Sequence, residues 1–337
     1  MANKEKKTAE AVKTPPKGGG IAGWFSRNWS YLAAFFLPII LIYIAYAIFG
    51  LYPFGEQSVL CLDLNGQYVY YFEAIRDAFH GDGSILYNWS RNLSGGYQGV
   101  IGYYLASPFT LIVILLPRTM ILGALLIMIL CKLGAASFAF CYYARKSKHV
   151  SPMLGVMLGT MFGMCAYGII QTLDPMWLDG LVCLPFIALG VEYLIDDGRK
   201  VNYIIPLALI CIANFYIGFM CCIFTGIYFI YYFFFGSDKI KLDKKNLSRI
   251  LLTFGRMAFA TAVALCCAAF MILPVYHALQ LGKFDLPSRT GASRHSSMCL
   301  ISLPSLPVSI STAPSMCRAS RRSTAVFWLH SVRRCSS

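Results

Sequence analysis

Apolar runs alternate with short polar stretches along most of this chain. Several runs reach the roughly 20 residues of helix that a hydrocarbon core of about 30 Å requires. Tyr31–Gly50 reads as the first crossing, inside to outside. Residues 51–118 form a large first outer loop. Met120–Tyr143 returns and ends in Arg145, Lys146, Lys148 and His149. Placing those basic residues inside, as the positive-inside rule asks, makes Ile101–Pro117 a re-entrant or interfacial segment, interrupted at Ser107-Pro108. Pro152–Gln171 crosses outward and Leu181–Ile195 returns to Arg199-Lys200. Val201–Phe235 is two short helices joined at Asn214-Phe215-Tyr216-Ile217-Gly218, and Ile250–Leu273 crosses outward again. The expected fold is an all-α polytopic membrane protein with about seven transmembrane helices, its N-terminus cytoplasmic.

The first outer loop opens with a polar segment, Asp63-Leu64-Asn65-Gly66-Gln67-Tyr68, that continues as an amphipathic helix. At 100° per residue, Asp63, Gln67, Tyr70 and Asp77 fall within about 40° of one line. Tyr68, Phe72, Ile75 and Phe79 line the opposite side. Such a helix lies along a membrane surface and lifts its carboxylate into a wet cleft. The competing reading is a solvated acid on an amphipathic connector. The Gly-rich segment Leu93-Ser94-Gly95-Gly96-Tyr97 lacks the Gly-Lys-Ser/Thr ending of a phosphate loop.

Composition agrees with a membrane protein: 58% apolar, 15% aromatic and only 13% charged. The net charge of +14 is no sign of a nucleic-acid partner, because it divides between basic flanks of apolar runs and an Arg-rich end without acids. The 13 Cys sit mostly inside apolar runs with no ligand spacing, so neither metal, cofactor nor disulfide framework is expected. Three regions follow: a disordered cytoplasmic tail (1–29), a membrane region (30–286), and a Ser/Arg-rich end (287–337). There hydrophobic periodicity stops and Lys disappears, as in a frame-shifted or aberrant tail, disordered in either case.

Acids and amides collect on the outer side. Asp63 and Asp174 are the candidate bases. Gln67, Arg91, Trp177, Asp179, Asn214, Tyr216 and Lys132 are the candidate binding residues. Asp179 equally suits a helix cap, and Asn214 a turn. Lys132 lies near the middle of its crossing, where a charge costs about 2.5–3.5 kcal/mol. It either snorkels along its stem or pairs with a carboxylate.

Asp63-Leu64 followed by Gln67-Tyr68, Gly102-Tyr103-Tyr104-Leu105-Ala106-Ser107-Pro108-Phe109, Trp177-Leu178-Asp179 and Asn214-Phe215-Tyr216-Ile217-Gly218 together resemble the bacterial YfhO membrane-protein family over roughly residues 30–286. The resemblance implies a polyprenyl-phosphate-dependent glycosyltransferase of the C superfamily, with Asp63 where the first-loop acid is expected. It would move sugar from a polyprenyl-phosphate donor to an envelope glycopolymer, such as a teichoic acid, outside the bacterial cell membrane. The family implies further crossings and an outer domain, so an inactive, truncated chain is the accompanying expectation. A lipid-phosphate donor carries its own leaving group, which leaves the protein to supply a base for the acceptor hydroxyl and cationic or amide groups for the phosphate. The alternatives are a transporter or channel, whose sites lie at interrupted helices of paired repeats, and a non-catalytic envelope scaffold.

Overall fold

Among the described residues, five apolar stretches become helices of bilayer length: Gly23–Ile48, Arg118–Ser147, Pro175–Asp196, Phe215–Gly236 and Ile250–Gln280. Two further apolar helices, Pro152–Gly163 and Val201–Ala213, are shorter. At 1.5 Å per residue they span about 18–20 Å. Of the seven expected crossings, five therefore have full-length helices. The shortening has local causes. The helix from Pro152 stops at Gly163, and Cys165 starts a new turn. Asn214, extended at φ −156°, ends one helix and caps the next.

The computed structural model describes residues 21–58, 60–88, 95–237 and 247–283. Arg91, the first 20 residues and the Ser/Arg-rich end lie outside them. In chain order the helices are α1 (Ile21–Ile48), α2 (Val69–His80), α3 (Gln98–Val100), α4 (Thr110–Leu115), α5 (Ile121–Ser147), α6 (Pro152–Gly163), α7 (Ala166–Ile170), α8 (Leu178–Asp196), α9 (Val201–Ala213), α10 (Phe215–Tyr231) and α11 (Leu247–Lys283). A two-residue antiparallel pair, β1 (Tyr87–Asn88) with β2 (Gly95–Gly96), precedes α3. The expected polar tail to residue 29 is shortened at its end, because α1 already begins at Ile21 and Asn28 bonds back to the Trp24 carbonyl at 3.0 Å. The chain divides after Ala278 into compact units. The packing described here lies in the first.

Helix α5 is the centre, packed against α1, α6 and α8, while α8 continues the layer to α9 and α10. Between helices in lipid there is little hydrophobic drive, so close approach of small residues does the holding. Gly155, Gly159 and Gly163 form such a stripe on α6. A Cβ at Gly159 would stand 2.5 Å from the Ser137 carbonyl oxygen of α5, and one at Gly163 would stand 2.9 Å from that of Leu133. Ala260, Ala264 and Ala268 repeat the device on α11, fully buried against the α8–α10 core of Ile187, Val191, Leu207 and Ile210. The outward faces stay apolar: Phe219, Met220, Ile223, Ile227 and Ile230 form an exposed helical stripe on α10, the surface a lipid phase would cover.

The basic end of α5 is tied to α8 and α10 through Glu192, which is buried. It accepts from Lys148 (3.2 Å), Tyr143 (3.0 Å) and Tyr228 (2.7 Å). At the opposite end, α4 has only six residues, about 9 Å of helix, far short of crossing a membrane. Ser107-Pro108 breaks the segment ahead of it, as the re-entrant reading requires.

Candidate functional site

Asp63 leads into a π-turn, Leu64–Tyr68, rather than an α-helical turn. This changes which residues share a face. In a straight α-helix, positions five apart diverge by about 140°. The wider i→i+5 turn instead sets Tyr68 beneath Asp63, and π-turns of this kind recur at functional sites. The Tyr68 hydroxyl donates to Asp63 Oδ2 at 3.4 Å. The expectation that Asp63 and Tyr68 take opposite sides of one helix is corrected accordingly. Phe72 and Ile75 are buried as the stripe predicts, but Phe79, near the end of α2, is exposed.

A second acid arrives from far along the chain. Asp174 precedes the 3-10 turn Pro175–Trp177 that starts α8, and its carboxylate faces the same Tyr68 hydroxyl. Burial pushes the Asp174 carboxyl above the usual carboxylate range. The Tyr68 phenol pulls it down and the Asp63 charge pushes it up again. The Tyr68 phenol, desolvated and flanked by both acids, is held firmly protonated. Asp63, Tyr68 and Asp174 thus form one cluster assembled from two loops.

The loop carrying Asp174 is pinned from below. Lys132 of α5, fully buried, donates to the Pro175 carbonyl at 2.9 Å and to Asp179 Oδ2 at 2.7 Å. Ser107, from the broken segment before α4, donates to the other Asp179 oxygen at 2.7 Å. Pairing therefore accounts for Lys132, and neither Lys132 nor Asp179 opens into the cleft. Lys132 precedes Lys148 by 16 positions, about 24 Å of helix. It is also 14 positions, about 21 Å, from Arg118 at the other end of that span, so its charge lies near the middle of the helix, as the sequence suggests.

Tyrosines extend the cluster sideways. Tyr68 meets Tyr104 (5.1 Å between ring centroids), Tyr104 meets Tyr103 (4.6 Å), and Tyr103 meets Tyr216 (6.1 Å) and Phe215 (5.6 Å). Tyr103 and Tyr104 lie on a second π-turn, Ile101–Leu105, held against α11 because Gly102 leaves no room for a side chain beside Val275. Asn214 is fully buried, and both its side-chain oxygen and nitrogen are bonded. Its Oδ1 accepts from the Tyr216 and Ile217 amides at 3.0 Å, and its Nδ2 donates to the Tyr103 carbonyl at 2.9 Å. The buried Trp177 indole N–H approaches the Tyr103 phenol without reaching hydrogen-bond geometry. Gln67 is exposed on the π-turn, one turn from Asp63.

The structure thus joins Asp63, Asp174, Trp177, Asn214 and Tyr216 around a row of tyrosines, with Lys132 and Asp179 beneath as support. Sequence reasoning missed Tyr103, Tyr104 and Ser107 as parts of this site. The Tyr-Tyr doublet before Ser-Pro was the available signal.

Comparison with known proteins gives the site a family context. Residues 33–293 match the family described as "Bacterial membrane protein YfhO". A Bacillus subtilis (strain 168) protein, described as "Uncharacterized protein YfhO", is 26% identical over 200 residues. The match covers 54% of this chain and 23% of that protein, so the chain spans under a quarter of this relative's length. No solved structure matches the chain.

Proposed function

The chain belongs to the YfhO family of bacterial membrane proteins, and from that premise we propose that it serves transfer of a sugar from a polyprenyl-phosphate donor to an envelope glycopolymer on the extracytoplasmic face. One observation carries the reading: Asp63 and Asp174 converge on the Tyr68 hydroxyl from loops more than a hundred residues apart. A fold has little structural reason to gather two carboxylates at one phenol, since like charges repel. A site that must accept a proton has such a reason.

In this reading the basic end of α5, with Arg145, Lys146 and Lys148, is cytoplasmic and the acid cluster faces outward. Asp63, the more exposed acid, meets the acceptor hydroxyl and takes its proton as the oxygen attacks the sugar's anomeric carbon. The polyprenyl phosphate departs with the electrons of the broken bond. Asp174, whose burial already favours the protonated form, shares the incoming proton across Tyr68. The tyrosine row supplies an apolar wall for the substrate. Lys132 positions Asp174 through the Pro175 carbonyl and does not touch substrate.

A transporter reading would use the break between α9 and α10 at Asn214. Every polar atom of that side chain is already bonded within the protein, which favours the transferase.

The test is transfer of radiolabelled sugar from polyprenyl phosphate to envelope polymer in membranes containing the full chain. Asp63→Asn and Asp174→Asn should each lower the rate on the order of 10²–10⁴, the usual effect of a positioned base. Transfer no greater than in membranes without the protein, or undiminished transfer by both variants when normally inserted, would overturn the proposal.

A further inference from the structure

On the other side of α2 from the acid pair, a cleft of about 480 Å³ opens between that helix, the β1 strand and Arg118. The volume lies within the roughly 300–1,000 Å³ of ordinary ligand pockets. From the contents of its wall we infer that the cleft is a saccharide-binding site, taking a neutral, hydroxyl-rich glycan segment. Describing that glycan as the acceptor rests on the transferase reading; its binding does not.

Three rings line the cleft, Tyr70, Tyr71 and Tyr87, and two of them are open to solvent, at 60% exposure for Tyr70 and 37% for Tyr87. An aromatic face is electronegative and attracts the polarised C–H face of a sugar ring. Between the rings stand Glu73, Asp77 and Asp82, acceptors for hydroxyl groups, with Arg118 the cationic group lining the cleft among the described residues and Arg76 paired to Asp77 beside it. Arg118 is shared between Glu73 (3.7 Å) and Asp77 (3.6 Å) and is 64% exposed. Asp82 makes no ion pair among the described residues.

That charge balance selects the ligand. Glu73, Asp77 and Asp82 outnumber the guanidiniums of Arg118 and of Arg76, which pairs with Asp77 at 3.2 Å, so the wall stays net negative and disfavours a phosphate. A bare ammonium ion would meet Arg118. A polyol, with donors and acceptors on its edges and C–H on its faces, suits both signs together.

Tyr71 links the cleft to the acid cluster. Its ring stands 6.5 Å from Tyr68 and 5.2 Å from Tyr104, while its carbonyl accepts from the buried Tyr97 hydroxyl at 2.7 Å. That bond fixes Tyr97, just after β2, against α2, and Tyr71 becomes the wall between the two sites. A chain lying in the cleft has its nearest ring beside Tyr68.

The test is saturation-transfer NMR on the full chain in lipid nanodiscs. The probes are the methyl glycosides of glucose, galactose and N-acetylglucosamine, with choline and inorganic phosphate run separately. Saturable binding of at least one glycoside is expected, weakened about tenfold by Tyr70→Ala and retained by Tyr70→Phe, since the ring does the stacking. Asp82→Asn should weaken it less. Binding should persist in Asp63→Asn and Asp174→Asn, so the failure of transfer chemistry and the failure of this site are distinguishable. No saturable binding by any glycoside, binding of choline or phosphate instead, or glycoside binding indifferent to Tyr70→Ala would each overturn the inference.

Discussion

Lys132 of α5 and Asp179 of α8 face each other at 2.7 Å, both almost wholly removed from solvent. The pair is expensive to bury and each partner gains a further bond: Lys132 donates to the Pro175 carbonyl and Asp179 accepts from Ser107. It fastens two long helices and the broken segment before α4 at one point.

Breaking that pair from one side leaves a buried, uncompensated charge. Lys132→Met should cost about 3–5 kcal/mol of stability, while Lys132→Met with Asp179→Leu recovers much of it, because the pair is replaced by packing. Denaturant unfolding in mixed micelles measures both. Equal loss in the single and double variants would show that the charge was not what mattered.

Asp174 gives a pH signature. Its carboxyl is raised above its ordinary value of 3.8, so the folded state favours the protonated form. Its contribution to stability is therefore fully present below that ordinary value, and is lost as pH rises through the raised one. Asp174→Asn, which cannot ionise, should gain on the wild type across this window. Thermal midpoints of the two, followed from acid to neutral pH, should diverge as pH increases. Parallel curves would contradict the burial argument.

Asn214 performs two tasks that substitution can separate. Asn214→Ser keeps a helix-capping oxygen and loses only the bond to the Tyr103 carbonyl. Asn214→Ala loses both, adding about 1 kcal/mol for the cap to the about 1–3 kcal/mol of an orphaned buried carbonyl. Unfolding should rank wild type, Ser, then Ala. Proteolytic sensitivity at residues 101–109 should rise in both variants.

The two ends of α5 should lie on opposite faces of the membrane. Lys146 and Asp82 are exposed at those ends and suit cysteine substitution. A membrane-impermeant thiol reagent applied to intact cells should label Asp82→Cys above the wild-type background. Lys146→Cys should react only after permeabilisation. The reverse pattern would invert the proposed topology.

How much of this was legible beforehand depends on the interaction involved. The stripe Tyr68, Phe72 and Ile75 is readable because burial follows helical spacing over a few residues. Phe79 departs from it because Gly81, at φ 94°, ends the helix within a turn. The α9–α10 break at Asn214 was visible too, since Asn before an apolar run signals a cap. The placement of Tyr68 under Asp63 was not. It depends on a π-turn, whose extra residue per turn leaves no mark in hydrophobic periodicity.

By itself the sequence determined that this chain is helical and lives in a membrane, and roughly where its long helices run. Those properties follow from local sums: apolar length against bilayer thickness, and positive charge against the translocation barrier. It also identified Asp63, Asp174, Lys132 and Asp179 as residues requiring explanation, because charges near lipid are costly wherever they occur. Only the tertiary structure decided their partners. Asp174 joined Asp63 at Tyr68, while Asp179, five residues later, turned to Lys132 and left the cleft. One 3-10 turn at Pro175–Trp177 sends the two acids to different sides of the loop, and helices far apart in the chain supply what each one meets.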